Sequence, residues 1–260
     1  MSVIHNIIEN TRKFAIKATN PQGGARSVLK KLYRMLPRQL RASFIKTECA
    51  NYLKKDPNIQ MVQIGANDGI HDDVFYPLIN KLPWQCLMVE PNTYVITALK
   101  KNHEDSVANI TFENCGIGDE SGSKTLYWCR ELPSVASFFK QHVEKHTAGK
   151  GVAILEETVP VLTFNDLLAK HPEFRTANLL LLDTEGYDGV ILLSIDFSKF
   201  KSDMIIFENV HIGSRQLEEV YRLLNSLEYS LYKDKEDTIA IKSCSANKTI
   251  REIARVAHRL

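Results

Sequence analysis

The chain predicts an α/β fold built on an open, mostly parallel sheet, preceded by a helical extension. Three stretches carry that prediction. Met61-Val62-Gln63-Ile64 is a short apolar run that stops in Gly65-Ala66-Asn67-Asp68-Gly69. A buried parallel strand reads as such a run, and glycines directly after it let the backbone turn sharply and approach a ligand. A second run, Cys86-Leu87-Met88-Val89, ends in Glu90-Pro91, about twenty residues on, where an acid at the end of a second strand accepts hydrogen bonds from a ribose diol. A third, Leu179-Leu180-Leu181-Leu182, runs into Asp183, Glu185 and Asp188. It is too short for a buried helix and suits a central strand, whose carboxyl end faces ligands. The turn spacing is G-x-N-x-G rather than G-x-G-x-x-G, which argues for a nucleoside without a pyrophosphate.

The remaining elements fit around those strands. Residues 3–17 and 28–55 carry helical periodicity, broken at Asn20-Pro21-Gln22-Gly23-Gly24 and again at Pro37. Asp56-Pro57-Asn58 turns the chain into the first strand. After Gly69, His71-Asp72-Asp73 offers N-cap residues for a helix over residues 74–81. Residues 93–103 are a helix, and 109–114 a third strand whose end, at the switch point of an open sheet, suits an adenine ring. Residues 124–129 alternate as an extra strand, expected in a hairpin with the third. Residues 157–163 are another strand, and Thr163 caps a short helix over 164–171. A helix over 187–195 begins where Glu185 and Asp188 complement its dipole, although Asp183, nearest the strand end, reads as functional. Residues 203–207 form a fifth strand ending in Glu208-Asn209-Val210-His211, and 214–227 an amphipathic helix. Residues 229–232 and 238–241 form an antiparallel hairpin at the sheet edge, and 249–260 a basic terminal helix.

Residues 137–146 place His142 and His146 four apart on one helix face. As a metal pair they have no third ligand nearby in sequence. They read either as two inert surface imidazoles or as part of a lid that brings an imidazole over an acceptor.

A chain of 260 residues, 44% hydrophobic and 25% charged, buries one sizeable core, most simply as one domain with an extension. Residues 1–20 lack the apolar stretch of a signal peptide and no run is long enough to span a membrane, so a cytoplasmic location is expected. Five cysteines without a C-x-x-C pair suggest reduced thiols rather than a disulfide framework or zinc ribbon. The net charge of +2 hides an asymmetry: residues 1–60 hold 12 Lys/Arg against Glu9, Glu48 and Asp56, and the remainder 21 basic against 28 acidic residues. A basic arm on an acidic body reads either as solvated helix faces or as a peripheral contact with an anionic membrane surface.

The ordered set Val62-Gln63-Ile64-Gly65-Ala66-Asn67-Asp68-Gly69, Val89-Glu90-Pro91, Asn114-Cys115-Gly116-Ile117-Gly118-Asp119, Val159-Pro160-Val161-Leu162-Thr163, Leu182-Asp183-Thr184-Glu185-Gly186-Tyr187-Asp188 and Ile206-Phe207-Glu208 resembles the FkbM family of class I S-adenosylmethionine-dependent methyltransferases. The resemblance implies a Rossmann-like, seven-strand doubly wound sheet with an antiparallel last strand. It implies a methyltransferase domain over residues 59–245, between a basic helical extension (1–58) and a basic C-terminal helix (246–260), neither of which it covers. By that resemblance Gly65, Ala66, Asn67, Asp68 and Gly69 hold the cofactor's methionine part, Glu90 and Pro91 its ribose, Asn114 and Cys115 the adenine edge, and Asp183 lies beside the cofactor. Gly116 stands where alanine is usual, and Asn209 where histidine is frequent. Members methylate hydroxyl oxygens, often on sugars or polyketides, so the expected acceptor is a small molecule or glycan.

A neutral alcohol is a poor nucleophile and must lose its proton to a base or to the influence of a cation. His142, His146 and His211 are the candidate bases, with Asp183 and Glu185 as candidate catalytic carboxylates. For the cation route, Asp183, Glu208 and Asn209 offer a hard oxygen set for Mg²⁺, similar to that of catechol O-methyltransferase. The rival readings are an NAD-type oxidoreductase, whose phosphate-binding glycines are missing, an RNA methyltransferase, for which an aromatic-interleaved basic platform is missing, and a silent binding module.

Overall fold

Apolar runs without internal turn residues become the middle of a sheet covered on both faces. The computed structural model describes residues 44–71 and 73–257. The helices and the membrane-facing arm expected before residue 44, and the end of the terminal helix after residue 257, lie outside the described residues. In chain order the strands are β1 (Gln60–Ile64), β2 (Gln85–Val89), β3 (Asn109–Glu113), β4 (Gly116–Gly118), β5 (Gly122–Trp128), β6 (Leu155–Thr163), β7 (Leu179–Leu182), β8 (Met204–Glu208), β9 (Tyr229–Asp234) and β10 (Asp237–Lys242). The helices are α1 (Phe44–Leu53), α2 (Tyr76–Ile79), α3 (Thr93–Asn102), α4 (Lys140–Thr147), α5 (Phe164–Lys170), α6 (Asp188–Ser194), α7 (Ser214–Ser226) and α8 (Lys248–Ala257).

Seven strands form the main sheet in the order β3-β2-β1-β7-β8-β10-β9. β3, β2, β1, β7 and β8 run parallel, while β10 pairs antiparallel with both β8 and β9. Successive side chains of a strand point to opposite faces, so each central strand feeds two cores. Val62, Ile64, Leu87, Val89, Leu180, Leu182, Ile205 and Phe207 pack on the face covered by α5, α6 and α7. Met61, Cys86, Met88, Leu179, Leu181, Met204 and Ile206 pack on the face covered by α1, α2, α3 and α8. Double burial is what makes these strands read as unbroken apolar runs rather than alternating ones. Among the described residues no helix is long and apolar enough to cross a membrane.

Two local expectations change. The strand over residues 122–128 does not form a hairpin with β3; it pairs antiparallel with β6, which also takes β4 in parallel, giving a separate three-stranded sheet in the order β4-β6-β5. The apolar face of β5 explains the choice. Leu126 and Trp128 are buried with Val159 of β6, whereas no residue of β3 is fully buried. The helix expected over residues 74–81 shortens to α2, which starts with Pro77 in its first turn, and the Asp73 carboxylate accepts the Phe75 N–H ahead of it.

Thr163 ends β6 and caps α5, its Oγ1 accepting the Asp166 N–H at 3.0 Å. Replacing Thr163 with Ala removes that acceptor and is expected to cost about 1 kcal/mol of stability, read as a lower urea midpoint with an unchanged slope.

Candidate cofactor pocket and histidine cluster

Where the chain crosses from β1 to β2 on one side and reaches β7 on the other, the strand ends diverge and leave a cleft. Gly65, Asn67, Glu90, Pro91, Cys115 and Asp183 line it, as does Glu185. The turn that opens it is fixed by sterics. Gly65 has φ +78°, and a Cβ there would overlap the Asp183 carbonyl oxygen. Its N–H donates to the Val89 carbonyl at 2.9 Å, and the Asp183 N–H donates to the Ile64 carbonyl at 3.0 Å. Those two bonds tie the ends of β2 and β7 to β1. Asn67 also adopts a left-handed backbone, φ +47°, a conformation that asparagine tolerates better than most residues.

Glu90 is 6% exposed at the end of β2. One carboxylate oxygen accepts the Asn67 N–H at 2.8 Å and the other the Asn92 N–H at 2.9 Å. Burial pushes its pKa up to about 7 despite those two donors. Asn114 does not line the cleft. Its Nδ2 donates to the carbonyls of Glu90 and Pro91, at 2.8 and 3.1 Å, bracing the acidic turn from behind. Ala66, Asp68 and Gly69 also stand back from the lining. Ala66 is buried in the core, the Asp68 carboxylate accepts the Ile70 and His71 N–H groups and pairs with the His71 ring, and Gly69 (φ +74°) packs against Leu99 and His103.

Sequence reasoning missed Ser137, Phe138 and Tyr187 as parts of the cleft wall. Phe138 stacks edge-on to Tyr187 and lies so close to Gly116 that a Cβ there would overlap its ring. Glycine in place of alanine at 116 is the trace of that contact in the sequence. Ser137 donates its hydroxyl to the Glu185 carbonyl at 2.9 Å and accepts the Phe139 N–H. The segment before α4 is thereby fastened to the turn after β7.

Carboxylates crowd the ends of β7 and β8: Asp188 is buried, Glu208 half-buried and Asp183 exposed at the cleft. Desolvation by the chain packed around it, with nearby Asp188 second, raises the Asp183 pKa although its side chain still reaches solvent. Burial, with Asp183 second, pushes Glu208 up to about 9. Asp188 is raised to about 6 by burial, although its Oδ2 accepts the Thr184 N–H and hydroxyl at 3.2 and 2.7 Å. Lys46, paired with Asp237 at 3.1 Å, is the cation whose charge lowers Asp183. Asn209 turns its amide away, Nδ2 donating to Thr238 Oγ1 at 3.1 Å and its N–H to the Glu236 carbonyl.

The donor groups that converge are different from the expected Asp183, Glu208 and Asn209 set. They are His142, His146 and His211, and Glu185, Glu208 and His211, each group with its donor atoms within 4.8 Å of one another. The histidine pair on α4 thus has its third member in His211, which follows β8, a neighbour that sequence distance hid. His142 and His146 stack with ring centroids 4.5 Å apart, and His211 meets His142 edge-on at 4.5 Å. His142 Nε2 lies 2.8 Å from Glu185 Oε2, and His211 Nε2 lies 3.7 Å from carboxylate oxygens of Glu185 and Glu208. Burial, then the neighbouring His142, holds His146 and His211 below the usual imidazole value.

The fold is a Rossmann-like doubly wound sheet, and the cleft lies at the carboxyl ends of β1, β2 and β7. The match of residues 63–231 to the methyltransferase FkbM domain is specific, and the chain belongs to that family. Similar solved structures include methyltransferase FkbM from Methylobacillus flagellatus KT, 13% identical over 71% of this chain and 44% of its own, TM-score 0.45. This chain therefore spans less than half the length of that relative. Precorrin-6y C5,15-methyltransferase from Geobacter metallireducens GS-15 is 13% identical over 76% of this chain and 87% of its own, TM-score 0.41. An O-methyltransferase from Bacillus cereus in complex with SAH is 9% identical over 90% of both chains, TM-score 0.42. No curated protein matches the chain.

A side chain at Gly65 must displace the turn after β7 and adopt a left-handed φ. Gly65→Ala is expected to lose on the order of 3 kcal/mol in urea unfolding; a loss below about 1 kcal/mol would show that the turn relaxes freely.

Proposed function

We propose that the protein is an S-adenosylmethionine-dependent O-methyltransferase acting on a hydroxyl of a sugar, glycan or related small molecule. The observation that carries this reading is Glu90, a buried acid at the end of β2 whose oxygens are aimed by two backbone N–H groups at the cleft. A carboxylate so placed accepts both hydroxyls of a ribose, and no phosphate-binding turn accompanies it. Asp183 adds the complementary feature: a solvent-reached carboxylate on the cleft wall, at the side where an amino-acid ammonium would lie.

Methyl transfer from a sulfonium to oxygen is an in-line displacement, so positioning supplies much of the rate, up to roughly 7–11 kcal/mol in well-aligned systems. The C–S bond breaks as the O–C bond forms, and the acceptor loses its proton. Glu185 belongs both to the cleft wall and to the imidazole cluster. An acceptor entering beside Glu185 therefore meets the groups that assist loss of its proton. The basic residues before position 60 suit an acceptor or surface of negative charge, which deepens the same reading.

The pH dependence of binding tests it. The Glu90 pKa near 7 in the free protein means that the ionised acceptor for ribose hydroxyls fills in as pH rises. Calorimetric titration with S-adenosylmethionine is expected to show affinity rising from pH 6 to pH 8. Glu90→Gln is expected to flatten that rise and to weaken binding at pH 8 by roughly tenfold to a hundredfold, the worth of a charged hydrogen bond. The same raised pKa stabilises the free fold below the unfolded value of 4.5, a contribution lost as pH rises through about 7. An S-adenosylmethionine affinity untouched by Glu90→Gln sinks the assignment. A mass increment of one methyl group on a nucleotide sugar or glycan would identify the acceptor.

A further inference from the structure

Three imidazoles and two carboxylates share one place beside the cleft, and the bonds within the fold do not satisfy them. His142 Nε2, His146 Nε2 and Glu208 Oε2 are buried without a hydrogen-bond partner. The 2.8 Å approach of His142 Nε2 to Glu185 Oε2 is thus a close contact without hydrogen-bond alignment. The His142 side chain is only 8% exposed. Buried polar atoms are ordinarily partnered, so three unpartnered ones gathered at one place call for a partner from outside the fold, such as an ion. The backbone adds to the case: Glu185 is held at φ +52°, a left-handed conformation costly for a glutamate, followed by Gly186 at φ +101°. That turn delivers the Glu185 carboxylate to the imidazoles.

We propose that His142, His146, His211 and Glu185 form a binding site for a divalent first-row transition metal ion of the zinc type. His142 and His146 are spaced four apart on α4, so both imidazoles leave the same helix face, and His211 closes the third side. The donor atoms of the three imidazoles lie within 4.8 Å of one another, against roughly 3.4 Å between ligands in a tetrahedral zinc shell, and Glu185 Oε2 lies 2.8 Å from His142 Nε2. Imidazole nitrogen selects zinc and its neighbours over magnesium, which prefers oxygen and water. Glu208 shares a donor group with Glu185 and His211. Metal binding stands on these side chains alone. Its use in catalysis rests on the methyltransferase reading: an ion held by these residues would lower the pKa of an acceptor hydroxyl, whose proton would leave to water as its oxygen takes the methyl group and the sulfonium departs as a neutral thioether. The ion itself is neither oxidised nor reduced.

The test is equilibrium dialysis of the full chain against micromolar zinc, with metal counted by mass spectrometry and S-adenosylmethionine affinity measured on the same samples. About one equivalent of zinc is expected. Zinc affinity is expected to fall at least about tenfold in His146→Ala and in His211→Gln, while His71→Ala, at an exposed imidazole outside the cluster, retains it. Circular dichroism establishes that each variant folds, and either folded ligand variant suffices. No stoichiometric zinc in the unaltered chain, or equal zinc in both ligand variants, overturns the site. Retention of magnesium in preference to zinc overturns the transition-metal assignment. Zinc retained without S-adenosylmethionine binding would sink the methyltransferase reading and leave the metal site standing.

Discussion

The site depends on carboxylates crowded together beyond what the fold's own cations neutralise. Asp188 is buried, Glu208 half-buried and Asp183 open to the cleft; desolvation drives all three toward protonation, and Asp183 and Glu208 are driven further by other carboxylates nearby. Lys46, itself drawn to Asp237, is the cation that opposes the shift at Asp183. A buried like-charged group is costly unless a partner arrives or the group takes a proton. Stability alone would favour removing such groups. Their presence at the carboxyl ends of β7 and β8 makes sense if the ligand brings the missing charge, as a sulfonium and an ammonium both do.

The parallel sheet makes that concentration possible without collapse. β1, β7 and β8 are held by ladders on both edges and packed on both faces, so their ends are fixed by the core rather than by the site. Polar residues at those ends can then be chosen for chemistry. The Gly65 turn illustrates the division of labour. It brings β1 and the Asp183 backbone into contact so closely that no side chain fits, which leaves the space beyond it open to a ligand.

How much of this was legible follows from the range of each interaction. Contacts between neighbours in sequence were readable: the Thr163 cap, the strand-ending glycine at 65, the acid at 90. The doubly buried strands were readable because period-2 alternation fails when both faces are covered. The pairing of β5 with β6 rather than β3 was not, because the choice turns on Leu126 and Trp128 finding Val159 across 31 or more residues. The histidine cluster failed to appear for the same reason. His146 and His211 belong to elements far apart in sequence, brought together through contacts such as the Ser137 to Glu185 hydrogen bond and the β7–β8 pairing.

Glu185 shows why the cleft and the cluster form one device rather than two neighbours. Its carbonyl holds Ser137, hence the segment carrying Phe138 and α4, while its carboxylate reaches His142 and His211. The backbone of one residue positions the wall over the cofactor cleft, and its side chain positions the imidazoles. A shift of this turn therefore moves both together. That coupling explains why a left-handed glutamate is retained in front of a glycine able to take the same conformation without strain: only a side chain here can join the two halves of the site.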